Sequence, residues 1–174
     1  SVPRLWSLFQ KNIIDKIGVS KLNLLLKIPL LSSFVKYKIH KGLGLNHCRL
    51  LGSGSAPIPP SLIHWYHSIG LNICEAWGMT ENCAYSIINY PFDARKIGTV
   101  GRPVEDCQIR QGEDGELLLK SPGLMTAYYL QPEATAAAFD ADGFFHTGDL
   151  CSIDADGCVT ITGRVKDNFK TAKG

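Results

Sequence analysis

Apolar positions in the first 45 residues recur at helical spacing. Trp6, Phe9, Ile13, Ile14 and Ile17 fall on one face of a helix, and Gly18 is placed to end it. Pro29 interrupts the next apolar stretch. Phe34, Tyr37, Lys38 and Ile39 then predict a second helix that stops near Gly42. From residue 47 the period changes. Residues 48–52 form a short apolar run closed by glycine, as a buried strand would be. Pro59 and Pro60 suit the first turn of a helix running to about Ile69, and residues 71–74 read as another short strand. Strand, helix, strand in that order predicts a helix-covered parallel sheet.

After about Pro91 the runs shorten. Strands are predicted at residues 107–110, 116–120, 150–154 and 159–162. They are joined by turns at Glu113-Asp114-Gly115 and Asp154-Ala155-Asp156-Gly157, with one helix at residues 132–139. This half reads as a small antiparallel β subdomain. The expected organisation is therefore residues 1–91 as a helical and β-α-β part and 92–163 as the β subdomain.

Composition narrows the classes. Of 174 residues, 45% are hydrophobic and 20% charged, which excludes a disordered or fibrous chain. A net charge of +2 gives no reason to expect nucleic acid. The six cysteines contain no C-x-x-C pair, so a zinc site is not expected and reduced thiols in a cytoplasmic protein are. Asp142-Gly143 and Asp156-Gly157 fail the EF-hand spacing and read as turns. No apolar run approaches the ~18 residues of a membrane span. Residues 11–41 are basic, with Lys11, Lys16, Lys21, Lys27, Lys36, Lys38 and Lys41. They form either a solvated helix face or a peripheral contact with an anionic membrane. The chain does not begin with methionine, from which we expect sequence upstream.

Four segments carry candidate chemistry. Gly52-Ser53-Gly54-Ser55-Ala56-Pro57 follows a predicted strand, and its small residues admit a ligand close to the backbone or simply make a tight turn. It is neither a P-loop nor a nucleophile elbow. Glu75-Ala76-Trp77-Gly78-Met79-Thr80-Glu81 follows the next strand, where open α/β sheets bind ligands. Trp77 offers a face for a nucleobase, Gly78 removes bulk beside it, Thr80 offers a hydroxyl to phosphate, and Glu81 offers a carboxylate to Mg²⁺. The alternative is an aromatic core plug and a solvated acid. In Phe144-Phe145-His146-Thr147-Gly148-Asp149, Asp149 opens a predicted strand and can accept hydrogen bonds from two vicinal hydroxyls, or is only a turn residue. His146 is read as structural rather than as a general base. Arg164, Lys166 and Lys170 form a cationic cluster suited to ribose and phosphate oxygens, or a polar chain end.

In this order, the four segments resemble one superfamily, the adenylate-forming enzymes, which include acyl-CoA synthetases, luciferases and peptide-synthetase adenylation domains. Residues 75–81 are similar to its Y-G-M-T-E motif, 145–149 to its aromatic-x-T-G-D motif, 163–170 to its G-R-x-K/D-D motif, and 52–57 to its S-G-x-A-P segment. Val2-Pro3-Arg4-Leu5-Trp6-Ser7-Leu8-Phe9 resembles the V-P-R-V-W-E-K-F segment of long-chain fatty acyl-CoA synthetases.

The resemblance implies part of the large N-terminal domain of an α/β enzyme: a mixed β-α-β sheet plus a small antiparallel, barrel-like β subdomain. It implies an ATP-dependent ligase that joins a fatty acid to coenzyme A through acyl-AMP, with Mg²⁺. Trp77, where the family carries tyrosine, would stack on adenine. Thr80 would meet the α-phosphate and Glu81 the metal, while Asp149 and Arg164 would hold the ribose. Gly54, Ser55, Ala56, Pro57, Glu75, Ala76, Gly78 and Met79 would border the nucleotide and the acyl carboxylate. Residues 164–174 would form the hinge region, with Lys166 the pivot and Lys170 approaching the nucleotide. The family's phosphate loop would lie upstream of Ser1, and its small C-terminal domain after Gly174. The chain alone is then expected to be inactive. Alternatives are a ligase for another carboxylate or a noncatalytic acyl- or nucleotide-binding module.

Overall fold

The structure, a computed structural model, describes residues 2–167. Two compact units divide between Cys74 and Glu75.

The first unit opens with α1 (Pro3–Ile17), α2 (Val19–Lys27) and α3 (Pro29–Gly42). Pro3 and Pro29 both stand in the first helical turn, where a missing N–H costs nothing. Gly18, at φ 83°, ends α1 and precedes α2. The stretch between Gly18 and Pro29 is thus a helix of its own rather than an interruption, because Leu22 turns inward and is buried. Extended backbone at Ile28, enforced by the following proline, separates α2 from α3. Strand β1 (Leu51–Ser53) and helix α4 (Pro60–Ser68) follow, and the unit ends in the first residues of β2 (Ile73–Trp77). Trp6, Leu22, Ile39, Leu62, Ile63, Tyr66, Ile69 and Ile73 are among its buried side chains. The Tyr66 hydroxyl donates to the Trp6 carbonyl at 2.6 Å, and burial pushes its pKa far up.

In the second unit the end of β2 pairs antiparallel with β3 (Ile87–Ile88), Ala76 opposite Ile88 and Trp77 opposite Ile87. β3 in turn pairs with β4 (Arg102–Pro103). A second, curled half-barrel sheet follows in the order β5 (Gln108–Gln111), β6 (Glu116–Lys120), β7 (Phe145–Ile153), β8 (Val159–Arg164), with every pair antiparallel. Helix α5 (Pro132–Ala137) lies between β6 and β7 in sequence. The core of this unit is Ile87, Val100, Leu117, Cys151 and Val159, with Trp77, Ile109, Ile153 and Ile161 packed against it.

The expected fold class is what the structure has. Several boundaries move. β2 continues through Trp77, so the Glu75 segment starts inside a strand, not after it. β7 begins at Phe145, five residues before the expected start, so Asp149 lies in mid-strand rather than opening one. β3 and β4, two residues each, were not expected at all.

Candidate functional site

β7 is aimed by an irregularity. Leu118 stands opposite His146 and Glu116 opposite Leu150, so three residues of β7, 147–149, face the single residue Leu117. Gly148 supplies the φ of 72° that this bulge requires. Side chains staple it. Glu116 accepts the Gly148 N–H on Oε1 at 2.7 Å and faces His146 Nδ1 with Oε2 at 2.9 Å. The Thr147 hydroxyl donates to the Leu117 carbonyl at 2.7 Å and accepts the Asp149 N–H at 3.1 Å. His146 is exposed and engaged in this clasp.

The bulge presents Asp149, which is only 8% exposed. Its Oδ2 accepts the Trp77 indole N–H at 2.8 Å, and its Oδ1 accepts the Arg164 Nε–H at 2.7 Å. Asp149 and Arg164 are cross-strand partners on β7 and β8. Each oxygen of the carboxylate keeps a further lone pair. The indole is both half-buried against the core and bonded through its N–H, so the core-plug and ligand-face readings of Trp77 are not exclusive.

Beyond Trp77 the chain makes a tight turn. Asn82, fully buried, accepts the Met79 N–H on Oδ1 at 2.9 Å. Cys83 and Ala84 are both left-handed, at φ 55°. A Cβ on Gly78 would come within 2.6 Å of the Ala84 Cα, so glycine is needed there by the backbone itself. Thr80 is exposed on this turn. Glu81 accepts the Tyr128 hydroxyl on Oε1 at 3.0 Å, while its carbonyl accepts the Met125 N–H at 2.6 Å. Burial first, and then the bond to Glu81, raises the Tyr128 pKa and keeps it a donor.

The second unit therefore brings Trp77, Asp149 and Arg164 into direct contact, with Thr80 and Glu81 on the turn after Trp77. Glu75 is buried on β2, and its carbonyl accepts the Asn89 N–H at 2.9 Å. Gly54, Ser55, Ala56 and Pro57 lie in the first unit just after β1, Ser55 at φ 66° and residues 55–57 exposed. Lys166 is exposed, and Lys170 lies outside the described residues. Sequence reasoning missed Glu116, Asn82 and Tyr128. An acid opening the strand before the T-G-D segment was the one available signal for Glu116. Among the described residues no three His, Cys, Asp or Glu side chains cluster to hold a metal. Cys74, Cys107, Cys151 and Cys158 are buried, and burial pushes the first three thiols up in pKa.

A short sheet and a curled antiparallel one, in an α/β chain bearing these side chains, define part of the N-terminal domain of an adenylate-forming CoA ligase. The chain belongs to the AMP-binding enzyme family, which it matches over residues 1–129. It is 43% identical over 137 residues to the long-chain-fatty-acid–CoA ligase FadD15 of Mycobacterium bovis, covering 79% of this chain and 22% of that protein. It is 39% identical over 124 residues to the malonate–CoA ligase of Arabidopsis thaliana, covering 67% and 20%. Among solved structures, a malonyl-CoA ligase ternary product complex with methylmalonyl-CoA and AMP superposes with a TM-score of 0.65 at 31% identity, covering 94% of this chain and 32% of that one. The o-succinylbenzoate CoA synthetase of Bacillus subtilis in complex with ATP and magnesium ion gives 0.63 at 29% identity, covering 68% and 27%. The chain thus spans about a fifth of the length of these two curated relatives.

Proposed function

We propose that this chain supplies the adenosine-holding residues of an ATP-dependent, AMP-forming acyl-CoA ligase whose substrate is a long-chain fatty acid. The observation that carries the reading is the Asp149 carboxylate, buried yet left with free lone pairs, fixed between an indole and a guanidinium. A flat aromatic face bonded to a carboxylate is what a nucleoside needs, the base on the ring and the ribose diol on the oxygens. The long-chain substrate is supported by the N-terminal Val2–Phe9 resemblance and by the name of the FadD15 relative.

In the reaction proposed, a carboxylate oxygen of the fatty acid attacks the α-phosphorus of ATP, and the bond to pyrophosphate breaks. The coenzyme A sulfur then attacks the acyl carbonyl, and AMP leaves. Neither step needs a nucleophile from this chain. Its residues orient and stabilise: Trp77 and Asp149 with Arg164 hold the adenosine, and Thr80 offers its hydroxyl to the α-phosphate. Ala76 would border the acyl carboxylate. Glu81 fits Mg²⁺ as a single carboxylate, since Tyr128 occupies only Oε1 and no all-protein cage is needed when phosphates complete the shell. The metal would supply charge neutralisation on the phosphates. We further propose Lys166 as the pivot after β8, Lys170 as a group approaching the nucleotide, and a cytoplasmic site of action.

The test is calorimetric titration of this chain with nonhydrolysable acyl-adenylate mimics over a series of acyl lengths. Saturable binding that strengthens with chain length supports the reading. Binding indifferent to chain length favours another carboxylate, and no binding to any adenylate refutes the proposed site. ATP- and CoA-dependent thioester formation by this chain alone is not expected. A rate above the uncatalysed background would show that the residues here suffice.

A further inference from the structure

Residues 121–131, between β6 and α5, run alongside the turn that carries Glu81. A Cβ on Gly123 would lie 3.4 Å from the Asn82 carbonyl oxygen. Two groups three residues apart on this segment hold Glu81. The Met125 N–H donates to its carbonyl at 2.6 Å, and the Tyr128 hydroxyl donates to Oε1 at 3.0 Å. Tyr128 is itself fixed from behind. Its N–H donates to Thr135 Oγ1 at 3.0 Å, and its carbonyl accepts the Gln131 N–H at 3.1 Å. The Thr135 hydroxyl donates to the Gln131 carbonyl at 2.8 Å, which ties the segment to α5. Among the described residues nothing donates to Oε2 of Glu81. The two oxygens of one carboxylate are therefore unequal.

A carboxylate can meet a cation through one oxygen or through both. Ca²⁺ accepts either mode in a flexible shell, whereas Mg²⁺ demands a regular one and is held through one or two carboxylates together with phosphates. The hydroxyl hydrogen on Oε1 is the positive end of a bond dipole. It draws electron density from that oxygen and opposes a cation brought up to both oxygens at once. Oε2 stays open. The Tyr128 backbone is tied to α5 and the Glu81 backbone to Met125, so neither partner turns away without breaking a further hydrogen bond. A bond that only fastened the loop would affect every ligand alike, while this one separates one-oxygen from two-oxygen coordination. Given the reading of Glu81 as the carboxylate for Mg²⁺, on which this assignment rests, we infer that Tyr128 is a positioning residue: it limits Glu81 to one metal-facing oxygen, Oε2, and so sets a preference for Mg²⁺ over Ca²⁺ on the nucleotide phosphates.

The experiment is calorimetric titration of the 174-residue chain with ATP in saturating Mg²⁺, in saturating Ca²⁺ and in chelator, and with AMP in chelator. We expect ATP to bind more tightly with Mg²⁺ than with Ca²⁺. Tyr128→Phe removes only the hydroxyl and should narrow that preference about tenfold, the scale of one hydrogen bond to a charged group, chiefly by strengthening the Ca²⁺ complex. Tyr129→Phe should leave the preference as it was. An unchanged circular dichroism spectrum confirms the fold of each variant. Equal weakening of both metal complexes by Tyr128→Phe would make the hydroxyl a loop fastening and overturn the inference, as would an unaltered preference. Glu81→Gln keeps an acceptor for Tyr128 and removes the charge. It should make ATP affinity indifferent to both metals, and a surviving Mg²⁺ preference overturns the inference whatever Tyr128→Phe does. AMP in chelator probes the adenosine site with no metal. AMP binding beside metal-indifferent ATP binding strikes the roles of Glu81 and Tyr128 and spares that site, whereas no binding of AMP strikes the site itself and this inference with it.

Discussion

Replacing Asp149 by asparagine keeps the shape of the side chain and removes one charge and one acceptor. The carboxylate now accepts from Trp77 at 2.8 Å on one oxygen and from Arg164 at 2.7 Å on the other. An amide can satisfy only one of these donors and must turn its NH₂ toward the other. Arg164 is 61% exposed and free to swing into solvent, while the indole is anchored in the core, so the amide oxygen keeps Trp77 and the NH₂ takes the place facing Arg164. The surrendered ion pair is largely solvent-screened, so folding loses only about 1 kcal/mol. Ligand affinity loses more. Hydrogen bonds to a charged group are worth about 1.5–3 kcal/mol, so an adenosine ligand should bind roughly ten- to over a hundredfold more weakly. Adenine itself, lacking the ribose, should bind as before. Calorimetry with AMP, an acyl-adenylate mimic and adenine, beside thermal unfolding of the variant, separates the two effects. An equal loss for AMP and adenine, or an intact fold with unchanged AMP affinity, would refute the ribose assignment.

Trp77→Ala should weaken adenylate binding by about 1–3 kcal/mol, whereas Trp77→Phe should keep most of the stacking and lose selectivity for adenosine over adenine; unchanged affinity in the alanine variant would leave Trp77 as a core residue only. Glu116→Gln keeps an acceptor for the Gly148 N–H but loses the charge facing His146, so AMP affinity should fall severalfold with adenine affinity unchanged, and an effect on adenine would contradict a role through Asp149. Arg95 holds Asp93 down to about 2 through its side-chain bond, and Phe144 and Lys96 lower Asp140 and Asp154. Each folded pKa lies below the unfolded value of about 3.9, so this stabilisation is complete above that value, begins to fall below it and is lost as pH falls through the folded value. The unfolding temperature should decline below roughly pH 4, and a flat profile from pH 5 to 2.5 would contradict the ion-pair geometry.

The sequence was most readable where one period dominated. β6 was expected at its observed limits because Leu117, Leu118 and Leu119 form an unbroken run, and α4 because two prolines mark its start. β3 and β4 are too short to show a period, and they are held by pairing with residues ten or more positions away. The early part of β7 was hidden by Thr147-Gly148, which reads as a turn and serves instead as a bulge inside a strand. Residue types at the site were visible one by one. Their contact was not: Trp77 and Asp149 are 72 residues apart, and only the bulge at Gly148 and the antiparallel register bring indole to carboxylate. The Glu116 clasp stayed invisible because an acid at a strand start usually means solvent.

The close approach at Gly78 bears on how an alignment of this family should be read. Any side chain at that position would collide with the Ala84 backbone before it met a nucleotide, and a Cβ on Gly101 would likewise come within 2.1 Å of the backbone of residues 88 and 89. An invariant glycine column at either place would record chain crowding, and inferring ligand contact from it would credit the substrate with a constraint that the turn imposes on itself. Variation at position 77 is the more informative record. There tyrosine and tryptophan both offer a ring, and here the indole also extends a donor to the neighbouring carboxylate.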